Sequence, residues 1–180
     1  MKKAAVFLDR DGVINKKKPE GEYVLSVEDF EILPGVAEAI NLLNRKGYIV
    51  IVVTNQRGVA RGLLSHEKLT EIHEYLMREI SKKGAYINGI YACTHDKGQC
   101  DCRKPKPGLI TKALEEHLID IQNSYMIGDA VSDMEAGREA GAKCIFLERA
   151  GEKNKVSDWA VYSCVSLLSA AEFICNRKDL

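Results

Sequence analysis

Apolar and polar positions along this chain repeat a strand-then-helix pattern. Lys3 to Leu8 reads as a first strand, and Gly35 to Lys46 as a helix closed by Gly47. Tyr48 to Val53 is a run of β-branched residues, the composition of a strand covered on both faces. Ser65 opens a second helix, with Glu67 and Lys68 in its first turn and apolar positions at Leu69, Ile72, Leu76 and Ile80. Ile87 to Cys93 reads as a strand, Pro107 to His117 as a helix and Ser124 to Ile127 as a short strand. Ser132 to Ala140 forms a helix ended by Gly141, followed by a strand from Lys143 to Leu147. A short Asp158-Trp159-Ala160-Val161 piece and a helix from Ser166 complete the pattern. This order predicts an α/β fold: a Rossmann-like three-layer sandwich with a mainly parallel sheet and helices on both faces. Neither a repeat nor a linker interrupts it, so residues 1–180 read as one domain. Short connections leave room for only a minimal cap. Asn15 to Phe30, the longest irregular stretch, is expected to form a substrate-facing flap.

Composition narrows the class. Charged residues make up 29% of the chain and hydrophobic ones 46%, ordinary values for a globular protein. Lysine plus arginine equals aspartate plus glutamate at 26 each, which implies no general affinity for nucleic acid. Lys16-Lys17-Lys18 reads as a solvated surface run, with a role in attracting an anionic substrate as the alternative. No apolar stretch approaches the ~20 residues needed to span a bilayer, and the first residues lack a signal-peptide core. A cytoplasmic protein without membrane association is the expectation, and a monomer the expected state. His66, His73 and His117 read as surface or helix-end residues, Trp159 as packing, and Cys144, Cys164 and Cys175 as small core residues.

Four strand ends carry polar clusters. The first is Asp9 and Asp11, followed by Gly12. Two carboxylates held close repel unless a cation or shared proton intervenes, which suggests a divalent metal, a nucleophile and a proton carrier together. The second is Thr54-Asn55-Gln56, a hydroxyl and two amides suited to phosphate oxygens. The third is Arg103-Lys104-Pro105-Lys106-Pro107-Gly108, where Lys104 can neutralise a phosphate and Pro107 starts a helix. The fourth is Gly128-Asp129, with Asp133 four residues on; Asp129 is placed to complete an oxygen-ligand site with Asp9. Singly, each has an ordinary turn or capping role. In this order on successive strand ends, they form a specific signal.

The motifs FLDRDG, VTNQ, RKPKPG and IGDAVSDM resemble the four signatures of the haloacid-dehalogenase-like phosphohydrolase superfamily. Within it, TNQRGVARG and VEDFEILPGV resemble the D-glycero-D-manno-heptose 1,7-bisphosphate 7-phosphatases. Histidinol-phosphate phosphatases share the Cys/His loop described below, but typically lack the Ala60-Arg61-Gly62 that follows TNQ here. The resemblance implies a phosphomonoester hydrolase acting on a small phosphorylated sugar, in bacterial surface-glycan synthesis. Asp9 would be the nucleophile, forming an aspartyl-phosphate, and Asp11 its proton partner. Mg²⁺ would be bound by Asp9, the Asp11 backbone carbonyl and Asp129. Thr54 and Lys104 would stabilise the transferring phosphoryl group, with Asp133 orienting Lys104 or the metal's waters. Arg103 would hold the second phosphate, and Asn55, Gln56 and Arg57 would line the pocket.

Cys93, His95, Cys100 and Cys102 supply three thiolates and an imidazole within ten residues. Four N/S ligands with no open position are those of a structural Zn²⁺ site. Only Asp96 to Gln99 separate His95 from Cys100, shorter than in many proteins of the resembling family. Two rivals stand beside the heptose phosphatase: a histidinol-phosphate phosphatase, and a non-catalytic zinc-dependent binding module.

Overall fold

A computed structural model describes residues 1–148 and 159–177. It contains a parallel sheet in the order β3-β2-β1-β4-β5-β6. These strands are β1 (Ala5–Leu8), β2 (Ile49–Asn55), β3 (Gly89–Cys93), β4 (Tyr125–Gly128), β5 (Lys143–Leu147) and β6 (Tyr162–Cys164). The helices are α1 (Val36–Arg45), α2 (Arg57–Ala60), α3 (His66–Ser81), α4 (Gly108–Glu116), α5 (Val131–Ala140) and α6 (Leu167–Asn176). The three-layer arrangement is the one the hydrophobic pattern predicts.

Strand alternation divides the core in two. Val6, Leu8, Val50, Val52, Ile127 and Ile145 face one side, against α1, α3 and α6. Phe7, Ile51, Val53, Met126 and Phe146 face the other, against α4 and α5. The buried stripe of α3 is Leu69, Ile72, Leu76 and Ile80, and the Ser65 side chain caps that helix by accepting from the Lys68 amide at 3.2 Å. Ser166 caps α6 in the same way, accepting from the Ser169 amide at 3.1 Å.

Two elements were not legible in the pattern. β6 has three residues and α2 four, each too short for a period to register. Of the Asp158–Val161 piece, Asp158 lies outside the described residues, while Ala160 and Val161 lead into β6. Among the described residues, no helix is long and apolar enough to cross a membrane.

The sheet order fixes where chemistry can occur. The chain steps outward from β1 to β2 and β3, then returns to place β4 on the other side of β1. Connections on the two sides diverge there and leave a crevice at the carboxyl ends of β1 and β4.

Candidate active site

Asp9 follows β1 directly, and its amide donates to the Ile127 carbonyl of β4 at 3.0 Å. Asp129 follows β4 in the same way. Carboxylate oxygens of Asp9, Asp129 and Asp133 lie within 4.8 Å of one another, and all three residues are buried. Gly128 makes this approach possible, because a Cβ at that position would sit 2.2 Å from the Asp133 Cβ.

Lys104 reaches into the same cluster from the loop before α4. Its Nζ lies 2.7 Å from Asp9 Oδ1 and 2.7 Å from Asp133 Oδ1, and donates to the Val53 carbonyl at 2.8 Å. Asn55 steers that loop: its Nδ2 donates to the Lys104 carbonyl at 3.0 Å, and its Oδ1 accepts from the Lys104 amide at 3.1 Å. Lys17, from the irregular segment after β1, contacts Asp129 Oδ2 at 3.0 Å, while Lys16 and Lys18 pair with Glu31 and Asp29. The basic run is therefore anchored by carboxylates, one of them inside the site.

Charge balance explains the protonation tendencies. Burial raises the Asp9 pKa first; Asp133 and Asp129 repulsion add to this and outweigh Lys104, so it reaches about 7. Burial opposes the Lys104 charge, but Asp133 and Asp9 overcome it and hold the ammonium firmly protonated. Three buried carboxylates thus face two ammonium groups, the buried Lys104 on Asp9 and Asp133 and the half-exposed Lys17 on Asp129. The remaining negative charge and the all-oxygen donor set suit a hard divalent cation.

Asp11 stands apart from that cluster. β1 ends at Leu8, so strand alternation does not extend to Asp9 and Asp11. Arg10 Nη2 donates to both Asp11 oxygens at 3.0 Å, Asn15 Nδ2 to Oδ1 at 2.9 Å, and Gln56 Nε2 to Oδ2 at 2.8 Å. Burial alone would raise the Asp11 pKa, but the Arg10 charge and these hydrogen bonds prevail and hold it below the usual carboxylate range. Gln56 also donates to Thr54 Oγ1 at 2.8 Å, and Thr54 is buried. Arg57 is turned onto Asp96 in an ion pair with the Cys/His loop.

Arg103, Lys104 and Lys106 line a cavity of about 490 Å³ together with Asn55, Lys97 and Ser132. Arg103 Nη1 is shielded from solvent and has no hydrogen-bond partner among the described residues. Such a cavity suits an anion of high charge.

The four sulfur and nitrogen ligands of the Cys/His loop converge. Cys93 Sγ lies 3.5 Å from Cys100 Sγ and 3.7 Å from His95 Nδ1; Cys102 Sγ lies 3.3 Å from Cys100 Sγ and 3.5 Å from His95 Nδ1. A tetrahedron with zinc–sulfur arms of ~2.3 Å has edges near ~3.8 Å, so one ion fits among these atoms. All six cysteines of the chain are free thiols.

Residue-by-residue reading missed three participants: Arg10, Asn15 and His73. Arg10 is fully buried and its Nη1 meets His73 Nε2 at 3.3 Å. The expectation of His73 as a surface or helix-end residue is therefore corrected. Its signal was available, since His73 stands four residues after Leu69 and three before Leu76, beside the apolar stripe of α3.

Residues 2–141 match the family model of the haloacid dehalogenase-like hydrolases. The chain belongs to this family of hydrolases and is a phosphatase within it. A D-glycero-alpha-D-manno-heptose-1,7-bisphosphate 7-phosphatase from Campylobacter jejuni is 40% identical over 159 residues, 88% of this chain and 89% of its own. The D-glycero-beta-D-manno-heptose-1,7-bisphosphate 7-phosphatase of Vibrio cholerae is 42% identical over 160 residues, 84% of each chain. A crystal structure of D,D-heptose 1,7-bisphosphate phosphatase from B. bronchiseptica, complexed with magnesium and phosphate, is similar with a TM-score of 0.88. That match has 28% identity and covers 97% of this chain and 99% of the other.

Proposed function

We propose that this phosphatase removes the C7 phosphate of D-glycero-D-manno-heptose 1,7-bisphosphate and leaves the C1 phosphate in place, serving nucleotide-heptose and surface-glycan synthesis. One observation carries the reading: a buried cluster of Asp9, Asp129, Asp133 and Lys104 opens beside a cavity lined by the further cations Lys97, Arg103 and Lys106. Two anionic groups on one substrate suit two cationic places, whereas histidinol phosphate carries one. A non-catalytic module would have no use for so many buried charges, each costly to desolvate.

In the proposed reaction, Asp9 attacks phosphorus in line and the sugar oxygen leaves, giving an aspartyl-phosphate. Asp11 protonates the departing oxygen, then accepts a proton from the water that cleaves the intermediate. The free protein favours ionised Asp11; the negative charge of an arriving phosphoryl group raises a neighbouring carboxylate's pKa and favours proton uptake. Thr54 and Lys104 stabilise charge on the transferring group, and Asp133 fixes the Lys104 ammonium. Magnesium, held by Asp9, Asp129 and the Asp11 carbonyl, would supply electrostatic shielding between phosphate and carboxylates. Zinc, held by Cys93, His95, Cys100 and Cys102, would pin the segment presenting Arg103 and Lys104. Asn55, Gln56 and Arg57 support the pocket through Lys104, Asp11 and the zinc loop. Retained thiol ligands suit a reducing compartment such as the cytoplasm, and the site is complete within one chain.

Phosphate release from both anomers of heptose bisphosphate, measured beside histidinol phosphate, tests the reading. Preferential turnover of either heptose anomer supports it. Faster turnover of histidinol phosphate overturns it.

A further inference from the structure

The fully buried charge of Arg10 is not explained by the reaction described above. An arginine stripped of water is costly unless its donors are satisfied, yet its Nε has no hydrogen-bond partner among the described residues. Stability is therefore a poor reason for this residue, since buried ion pairs seldom outperform apolar replacements. The guanidinium instead spends its contacts on one group. Nη2 reaches both oxygens of Asp11 at 3.0 Å, and the same nitrogen donates to Gln56 Oε1 at 3.0 Å. Gln56 in turn donates to Asp11 Oδ2 at 2.8 Å.

Two further contacts fix the guanidinium itself. Its carbon lies 5.4 Å from the centroid of the Phe30 ring. Its Nη1 meets His73 Nε2 at 3.3 Å. Arginine offers donors only, so His73 Nε2 must be the acceptor and the ring proton must sit on Nδ1. A neutral imidazole is what burial beside a cation favours: burial first, then the Arg10 charge, lower the His73 pKa to about 4. A helix residue outside every signature motif thus orients the arginine between the two catalytic-motif aspartates.

We propose that Arg10, oriented by His73, is the positioning residue that holds the Asp11 carboxylate in the geometry for proton delivery to the leaving oxygen. This rests on the reading of Asp11 as proton donor. It adds His73 and Arg10 to the determinants of that step without giving either a contact to substrate.

Leaving-group dependence separates positioning from a structural role. An alkyl phosphate such as heptose bisphosphate expels a poor leaving group and needs the proton. 4-Nitrophenyl phosphate expels a stabilised phenolate and does not. The quantity to compare is kcat/KM, which reports steps through the first irreversible one. His73→Phe keeps a ring but removes the acceptor; His73→Gln restores one. The expected result is a loss of about tenfold on the alkyl ester in His73→Phe, and under about threefold on the aryl ester. His73→Gln should recover most of the loss, and Arg10→Lys, whose single nitrogen cannot hold Asp11 and His73 at once as Nη2 and Nη1 do, should show the same alkyl-selective loss.

Equal losses on both esters, unchanged rates, a gain on the alkyl ester, or no recovery in His73→Gln would each overturn the proposal. Asp11→Asn is the reference: without an alkyl-selective loss in that variant, the reading of Asp11 itself fails. Failure of the heptose assignment is distinct, because any alkyl phosphate that the unsubstituted protein hydrolyses serves for the comparison.

Discussion

Lys104 is a buried ammonium between Asp9 and Asp133. Lys104→Met should lower kcat at least about a hundredfold and destabilise the fold by roughly 3–5 kcal/mol, because breaking a buried pair strands its partners. Steady-state phosphate release and denaturant unfolding read the two effects. Asp9→Asn should behave differently. The raised Asp9 pKa means that its charged form is disfavoured in the metal-free fold, so a neutral isostere relieves that burden. We expect this variant to lose phosphatase activity yet to unfold, without metal, at a temperature no lower than the parent. A clear drop in that temperature, or retained turnover, would contradict the assignment. At this scale the motif residues Asp9, Lys104 and Asp129 were legible because their chemistry shows in residue type. Their neighbours' further tasks were not: Asn55 and Gln56, which look like phosphate ligands in sequence, also hold Lys104 and Asp11.

The Cys/His loop joins β3 to α4 and ends one residue before Arg103 and two before Lys104. Gly108, at the start of α4, packs so closely that a Cβ there would lie 2.3 Å from the Asp101 carbonyl oxygen. The Cys/His loop and the start of α4 are therefore packed directly against each other, with Arg103 and Lys104 between them in sequence. Removing zinc with a selective chelator should expose the thiols of Cys93, Cys100 and Cys102 to a colorimetric reagent and lower kcat/KM in parallel. Thiols already fully reactive before chelation, in protein without bound zinc, would contradict the site. Strands and long helices were readable at this scale because each spans two or more periods of its pattern. β6 and α2 escaped because their stability comes from neighbours: β6 pairs with β5, and α2 sits between β2 and the loop before α3.

Across the whole molecule, α3 is tied to the active site through one histidine. Burial, with the Arg10 cation outweighing Asp11, holds the folded His73 pKa at about 4 against 6.5 for the free side chain. Because the folded value is lower, the unfolded chain binds the proton more readily as pH falls. Stability from this group is complete above about pH 6.5 and is lost towards pH 4. The parent should therefore lose on the order of 2 kcal/mol more than His73→Gln over that window, allowing for partial exposure of the ring. Urea unfolding at several pH values checks the difference, and parallel curves for the two proteins would contradict it.

Apart from β6 and α2, the order of strands and helices, the two-sided core and the four strand-end clusters were determined by the sequence alone. Periodicity is local, and a motif carries its chemistry in adjacent residues. The tertiary structure alone decided which polar groups are spent on one another: Asn55 on Lys104, Arg57 on Asp96, Gln56 on Asp11, and His73 on Arg10. Hydrogen-bond partners tens of residues apart have no local period. They are chosen when the sheet brings the ends of β1, β2 and β4 to one crevice.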